Sequence, residues 1–191
     1  KDWNDIVFRF GFGQRTGVDL PYESRGLVPT KKYMDKTYTS RGWARGNLLS
    51  FVIGQGDVLA TPIQAAQMVN LIATNGKSHS PHFNIKNTGK PISVKLDNSI
   101  WRFIQSTMWE VVNGKRGTGK NARVQDGIVR GKTGTSENPH GEDHAWFAGY
   151  VTAPNGKMLS VAVIVEHGGH GSESAAPDAK ELFAKFVEGN K

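Results

Sequence analysis

Cysteine does not occur in these 191 residues. Its absence excludes disulfides, thiolate metal sites and a cysteine nucleophile. Long apolar runs are missing too: no stretch of about 18 apolar residues is present to cross a bilayer as a helix. The start, Lys1-Asp2-Trp3-Asn4, lacks the charged and apolar regions of a secretion signal. Lys and Arg outnumber Asp and Glu by 24 to 17, giving a net charge of +7 and a pI near 9.7. Yet the basic residues are scattered, without a long run or an interleaved aromatic platform. That argues against a nucleic-acid partner and for a solvated, lysine-rich surface. What remains is ordinary for a globular domain: 37% apolar, 21% charged, enough chain for a real core. The 23 glycines imply many turns.

Residues 2–10 read as the end of a helix with Trp3, Ile6, Val7 and Phe10 on one side, stopped by Gly11 and Gly13. Residues 11–47, rich in Gly, Pro, Thr and Arg, read as a long, partly ordered connection. Thr61-Pro62 is a strong helix start, Thr as N-cap and Pro at the first helical position. Ile63, Ala66, Val69 and Ala73 follow at helical spacing, and Asn75-Gly76 ends the segment. Asp97 or Ser99 caps a second helix with Ile100, Ile104, Met108 and Val111 inward. Then the period changes. Residues 128–135, 144–152 and 158–166 are short runs rich in Val, Ile, Phe and Tyr, the last two joined by Pro154-Asn155-Gly156, a hairpin signal. Residues 176–188 return to helical spacing (Ala179, Leu182, Phe183, Phe186, Val187), with Pro177 in the first turn. The fold class is α/β (α+β): an antiparallel sheet flanked by helices. Loops and helices occupy about 1–125, and strands with a C-terminal helix about 126–191, all within one domain.

Lys132-Thr133-Gly134-Thr135 closes the first of those strands. An ammonium beside two hydroxyls suits an anionic ligand, most simply a carboxylate. Gly134 removes a side chain where a ligand or another backbone approaches. Gly114–Asn121, Gly-Lys-Arg-Gly-Thr-Gly-Lys-Asn, departs from a phosphate loop. Asn121 replaces the magnesium-binding Ser or Thr, and a helix precedes it where a strand belongs. It reads as a flexible loop. His140 with His144, or Glu166, His167 and His170, have ligand chemistry, but a loop lacks the fixed geometry of a metal site. They read as polar loop residues at the rim of the cleft, with no metal assigned. Trp43 with Arg41 and Arg45 has the chemistry to hold glycan or lipid, although a packed loop is the default.

Lys-Thr-Gly is one of three short motifs of penicillin-binding proteins and serine β-lactamases. Around it, Phe10-Gly11-Phe12-Gly13, Thr16-Gly17-Val18-Asp19-Leu20-Pro21 and Glu23 resemble a segment of class B penicillin-binding proteins. So do Gly54-Gln55-Gly56, Thr61-Pro62-Ile63-Gln64 with Ala66, and Trp146-Phe147-Ala148-Gly149-Tyr150. The order matches over nearly the whole chain, and residues 137–147 look most like penicillin-binding protein 2 of the elongation machinery, with the division type as competitor. The resemblance implies a D,D-transpeptidase that cross-links peptidoglycan stem peptides ending in D-Ala-D-Ala and is acylated by β-lactam antibiotics. It implies no cofactor. Lys132 would supply positive potential and join proton transfer, and Thr133 and Thr135 would bind the substrate carboxylate beside Gly134. The Thr135 N–H would be one oxyanion-hole donor. The implied location is the inner membrane, with the catalytic domain on the periplasmic side and the anchor outside this chain. The implied partners are the rest of the transpeptidase domain and cell-elongation membrane proteins, including a lipid-II glycosyltransferase.

Two motifs of that family are missing. No Ser-x-x-Lys occurs: Arg102 stands three residues after Ser99, and Ile53 three after Ser50. The sole Ser-x-Asn, Ser136-Glu137-Asn138, directly follows Lys-Thr-Gly-Thr and is a coincidence. The expectation is a C-terminal portion of a transpeptidase domain, beginning after the nucleophile and inactive alone. Alternatives of the same fold are a β-lactamase or D,D-carboxypeptidase, against which the Thr-Pro-x-Gln-x-Ala block argues. A catalytically inert penicillin sensor or binding module is the third reading.

Overall fold

The computed structural model describes residues 2–39 and 42–191. The helix α1 spans Asp2–Arg9, and the chain leaves it through Gly11 and Gly13, both at positive φ, a conformation glycine adopts at little cost. Phe10 is buried as expected, but Ile6 is exposed. Residues 11–47 are not simply a connection, because they hold α2 (Lys31–Thr37) and the start of α3 (Arg45–Val52). Thr30 caps α2 by accepting the Tyr33 N–H at 3.2 Å. Both helices are too short for a full apolar period, which is why spacing did not disclose them.

Helix α4 (Pro62–Ala73) starts as the sequence predicts. Thr61 Oγ1 accepts the Gln64 N–H at 3.3 Å, and Gln64 Oε1 accepts the Thr61 N–H at 2.9 Å, a reciprocal capping box. Its inner face differs from the expectation. Gln64, Ala65, Gln67, Val69, Leu71 and Ile72 are buried, while Ile63, Ala66 and Ala73 are only partly so. A stripe read from apolar residues alone missed two buried glutamines, of which Gln64 serves neighbouring backbone with its amide. Two short strands, β1 (Lys77–His79) and β2 (Pro91–Ser93), form an antiparallel pair that the sequence did not suggest.

Helix α5 (Asn98–Asn113) has Asp97 at its N-cap. Trp101, Met108 and Val112 are its buried residues, whereas Ile100 is exposed. Met108 faces inward as expected and Ile104 packs against the core, while Trp101 and Val112 take the buried places expected of Ile100 and Val111. A single 3-10 turn, Lys120–Ala122, leads to β3 (Ile128–Ser136), β4 (His144–Thr152) and β5 (Met158–Val165), an antiparallel sheet in the order β3-β4-β5. Gly156, at positive φ, closes the hairpin between the last two. Helix α6 (Ala175–Glu188) follows. It buries Ala179, Phe183 and Val187 but leaves Leu182 exposed.

Each sheet face carries its own core. On one, α6 packs Phe183 edge-on to Phe147, ring centroids 6.2 Å apart, among Val129, Ala145, Val151 and Val161. On the other, Tyr150 joins Val69, Leu71 and Ile72 of α4 and Trp101 and Met108 of α5. The expected layering, helices on both faces of an antiparallel sheet, is what forms.

Candidate active site

Strand alternation sets the geometry at Lys132–Thr135. Thr133 pairs with Phe147 and Thr135 with Ala145, so both threonines share the α6 face; Lys132 pairs with Ala148 and Gly134 with Trp146 on the α4 and α5 face. Strand β3 pairs only with β4 among the described residues. Its outer edge is identified by what its carbonyls accept. The Val129 carbonyl takes the Asn113 amide at 2.9 Å, the Thr133 carbonyl takes Lys132 Nζ, and the Thr135 carbonyl takes Gln55 Nε2 at 3.0 Å. These odd-numbered carbonyls therefore face away from β4. In an antiparallel ladder a residue's N–H and C=O point to the same side, so the Thr135 N–H also lies on the open edge. The resemblance implies an oxyanion-hole role for that N–H, which points away from β4.

Two loops grip this edge. Gly54 and Gly56, both at positive φ, turn the chain after α3 so that Gln55 reaches the Thr135 carbonyl. From the other side, the loop after α5 brings Thr118 Oγ1 to 2.9 Å from Thr133 Oγ1. The glycines of the sequence blocks are thus turn-formers, and Gln55 and Thr118 are the loop side chains that reach the Lys-Thr-Gly-Thr segment. Both roles were missed in the sequence, although Gly-Gln-Gly and Gly-Thr-Gly marked the turns. A Cβ on Gly134 would meet the Trp146 side chain at 3.2 Å and no other backbone, whereas one on Gly171 would overlap the carbonyls of Gly134 and Trp146. Lys132 is exposed, and Thr133, Gly134 and Thr135 are half-buried.

The histidines regroup. His144 and His167, placed in separate sets by sequence, lie with ring centroids 4.9 Å apart, and the His167 N–H donates to His144 Nδ1 at 3.0 Å. His167 is at positive φ and its ring nitrogen lies 3.2 Å from the Asn138 amide. Among the described residues no three His, Cys, Asp or Glu side chains converge as a metal site. Asn138 builds the loop before β4: its N–H donates to Asp143 at 3.1 Å, and its Oδ1 accepts from the His140 N–H at 3.0 Å. Trp43 donates to Asp35 at 2.9 Å, which with Lys31 holds that carboxyl below its ordinary range, Lys31 being the larger influence. Arg41 lies outside the described residues. Behind the strand, burial pushes the Tyr150 hydroxyl up, opposed by the charge of Arg130, which stacks 5.8 Å from its ring.

An antiparallel sheet with helices on both faces, and Lys-Thr-Gly-Thr on its free edge, is the arrangement of the class that holds penicillin-binding proteins and serine β-lactamases. Residues 1–188 match the penicillin binding protein transpeptidase domain, and the chain belongs to that family. It is 33% identical to the peptidoglycan D,D-transpeptidase MrdA of Haemophilus influenzae, over 93% of this chain and 31% of that protein. To MrdA of Acinetobacter baumannii it is 34% identical, over 94% and 30%. The chain thus spans about a third of the length of these curated relatives. The solved PBP2 of Pseudomonas aeruginosa, in complex with WCK 5153, superposes with a TM-score of 0.83 at 36% identity, over 94% of this chain and 41% of that one. PBP2 of Helicobacter pylori, solved with MreC, superposes at 0.76 with 33% identity, over 92% and 34%.

Proposed function

We propose that this chain forms the substrate-holding wall of a peptidoglycan D,D-transpeptidase of the elongation type. The observation that carries the reading is the β3 edge: an exposed Lys132, two threonines on one face, and an outward Thr135 N–H, with Gln55 and Thr118 holding the strand. Lys132 supplies positive potential for the terminal D-Ala carboxylate and joins the proton-transfer network. Thr133 and Thr135 donate hydrogen bonds to that carboxylate, and Gly134 keeps the strand free of a side chain there. The stem peptide lies antiparallel along the free edge, as in strand addition.

The attacking serine comes from residues outside these 191, because no Ser-x-x-Lys occurs among them. Its oxygen adds to the carbonyl carbon of the penultimate D-Ala. The oxyanion that forms accepts from the Thr135 N–H and the serine's own N–H, each such donor lowering the barrier by about 3 kcal/mol. Collapse breaks the C–N bond, and the last D-Ala leaves with the proton on its amine. An amine of a second stem then attacks the ester, and the serine regains a proton. A β-lactam enters the same way but keeps its amine tethered, so the acyl-enzyme persists.

The setting follows from the same reading: an enzyme anchored in the inner membrane and working on the periplasmic side. Its partners would be β-lactam antibiotics, peptidoglycan stems and cell-elongation membrane proteins, including a lipid-II glycosyltransferase. A MreC-like protein is a further candidate, since H. pylori PBP2 was solved with MreC. The decisive experiment labels this chain, joined to its serine-bearing part, with fluorescent penicillin. Lys132→Ala should slow acylation about a hundredfold or more. Acylation near the wild-type rate would remove Lys132 from the site.

A further inference from the structure

In the reading above the loop between α5 and β3 only holds the strand and takes no part in orienting the substrate. It carries Thr118, whose hydroxyl oxygen lies 2.9 Å from that of Thr133, fifteen residues on. We propose that Thr118 is a positioning residue, which orients the Thr133 hydroxyl so that its single proton points at the substrate carboxylate.

The argument begins with hydroxyl chemistry. A threonine has one O–H to donate and two lone pairs to accept with, and its proton rotates to suit its neighbours. Thr133 alone would hold its oxygen in place, since a β-branched side chain is stiff at χ1. It would not hold its proton. A second hydroxyl at 2.9 Å removes that freedom once an anion is present. A carboxylate only accepts, so Thr133 must donate to it, and Thr133 must then accept from Thr118. The chain Thr118→Thr133→carboxylate is the one direction that satisfies all three groups. Each bond polarises the next, which strengthens the terminal one.

The loop is built to hold Thr118 there. A Cβ on Gly117 would overlap the Val111 carbonyl at the end of α5, and the Gly119 N–H donates to that same carbonyl at 2.8 Å. Thr118 thus sits between two glycines that let the loop lie flat against the helix end. Downstream, Ala122 is fully buried, and the Asn121 amide donates to the Ser172 carbonyl at 2.8 Å, tying the loop to the segment before α6. Thr118 itself is exposed. Its side chain contributes to neither core, so a structural purpose does not account for its placement. The phosphate-loop likeness of residues 114–121 marks the same turn-forming glycines, turned here toward a hydroxyl on the neighbouring strand.

This rests on the transpeptidase reading, and the test separates the two. In the acylating enzyme, this chain together with its serine-bearing part, the second-order rate of acylation by fluorescent penicillin is measured for wild type and five variants. Thr118→Val, which keeps the shape and loses the hydroxyl, should slow acylation about tenfold, the scale of a weakened hydrogen bond to a charged group. Its melting temperature should not move. Thr118→Ser should stay within about twofold of wild type. In a Thr133→Val background, adding Thr118→Val should cost nothing further, as expected when two residues act through one interaction. A penicillin whose carboxylate is masked as the amide should react equally with wild type and Thr118→Val. An unaltered rate in Thr118→Val, or equal slowing for both penicillins, overturns the proposal. If wild type acylates and Lys132→Ala does not, while Thr118→Val acts as wild type, the inference about Thr118 fails alone. An enzyme that takes no penicillin at all overturns the transpeptidase reading and this one with it.

Discussion

The two halves of the chain are held together by different means. From Ile128 onward, the register of three strands and the ring contact of Phe147 with Phe183 form a core of apolar side chains. From Phe10 to Leu27 there is little regular structure, and polar side chains tie backbone to backbone. Gln64 is fully buried, and its amide donates to the carbonyls of Gln14 at 2.7 Å, Arg25 at 2.9 Å and Gly11 at 3.3 Å. Glu23 accepts from the Thr16 N–H and hydroxyl, both at 2.6 Å, and from the Gly17 N–H at 3.1 Å. Asp19 reaches forward to the N–H groups of Phe83 and Asn84 at 2.6 and 3.0 Å. A segment that buries few apolar side chains satisfies its backbone groups through a few amides and carboxylates instead. The site lies on β3 of the apolar half, and Gln55 reaches it from the turn after α3.

The largest expected effect breaks the apolar half. Phe183→Ala empties a fully buried site against Phe147 and should cost about 3–5 kcal/mol, transfer and cavity together. The loss should be cooperative, read as one lowered unfolding transition by circular dichroism and fluorescence alike. Separate transitions would show that the sheet and the helices before it unfold independently.

Gln64→Ala breaks the polar half. It strips donors from three carbonyls and the acceptor from the Thr61 N–H, so about 2–4 kcal/mol is expected from unsatisfied buried groups. The signature should differ from that of Phe183→Ala. Residues 11–27 should gain protease cleavage and fast amide exchange first, while β3–β5 stay protected. Uniform exchange across the chain would mean that Gln64 supports the global fold and the comparison is wrong.

These contrasts explain what the sequence disclosed. The three long strands, the hairpin at Asn155-Gly156, the Thr61-Pro62 helix start and α6 follow local rules, in which period, cap and turn residue agree. The Lys-Thr-Gly-Thr strand was legible for the same reason. Buried glutamines were not: hydropathy places Gln64 and Gln67 outside, and only the carbonyls of a segment some 40 to 50 residues away in sequence explain why Gln64 turns inward. Thr118 escaped notice because its partner is on another element, and nothing in Gly-Thr-Gly says which strand the hydroxyl will meet. The pairing of His144 with His167 likewise depends on how two loops close over one end of the sheet.

The smallest effect tests the polar half through pH. Asp19 accepts from Phe83 and Asn84, and these backbone donors, Phe83 first, hold its carboxyl below the ordinary 3.8. The folded value lies under the unfolded one, so the charged form favours the folded state. That contribution is complete above pH 3.8 and is lost as the pH falls through the folded value beneath it. Asp19 is exposed, so solvent screens the effect, and the change should be local. Amide exchange at Phe83 and Asn84, corrected for its intrinsic pH dependence, should lose protection on acidification below that point. Asp19→Asn should lower protection at neutral pH and flatten this dependence, because one amide oxygen cannot carry the charge that two donors select. If both amides keep the wild-type profile in Asp19→Asn, the loop at 82–87 is held by something other than this carboxylate. The polar half would then contain one fewer tie than its hydrogen bonds suggest.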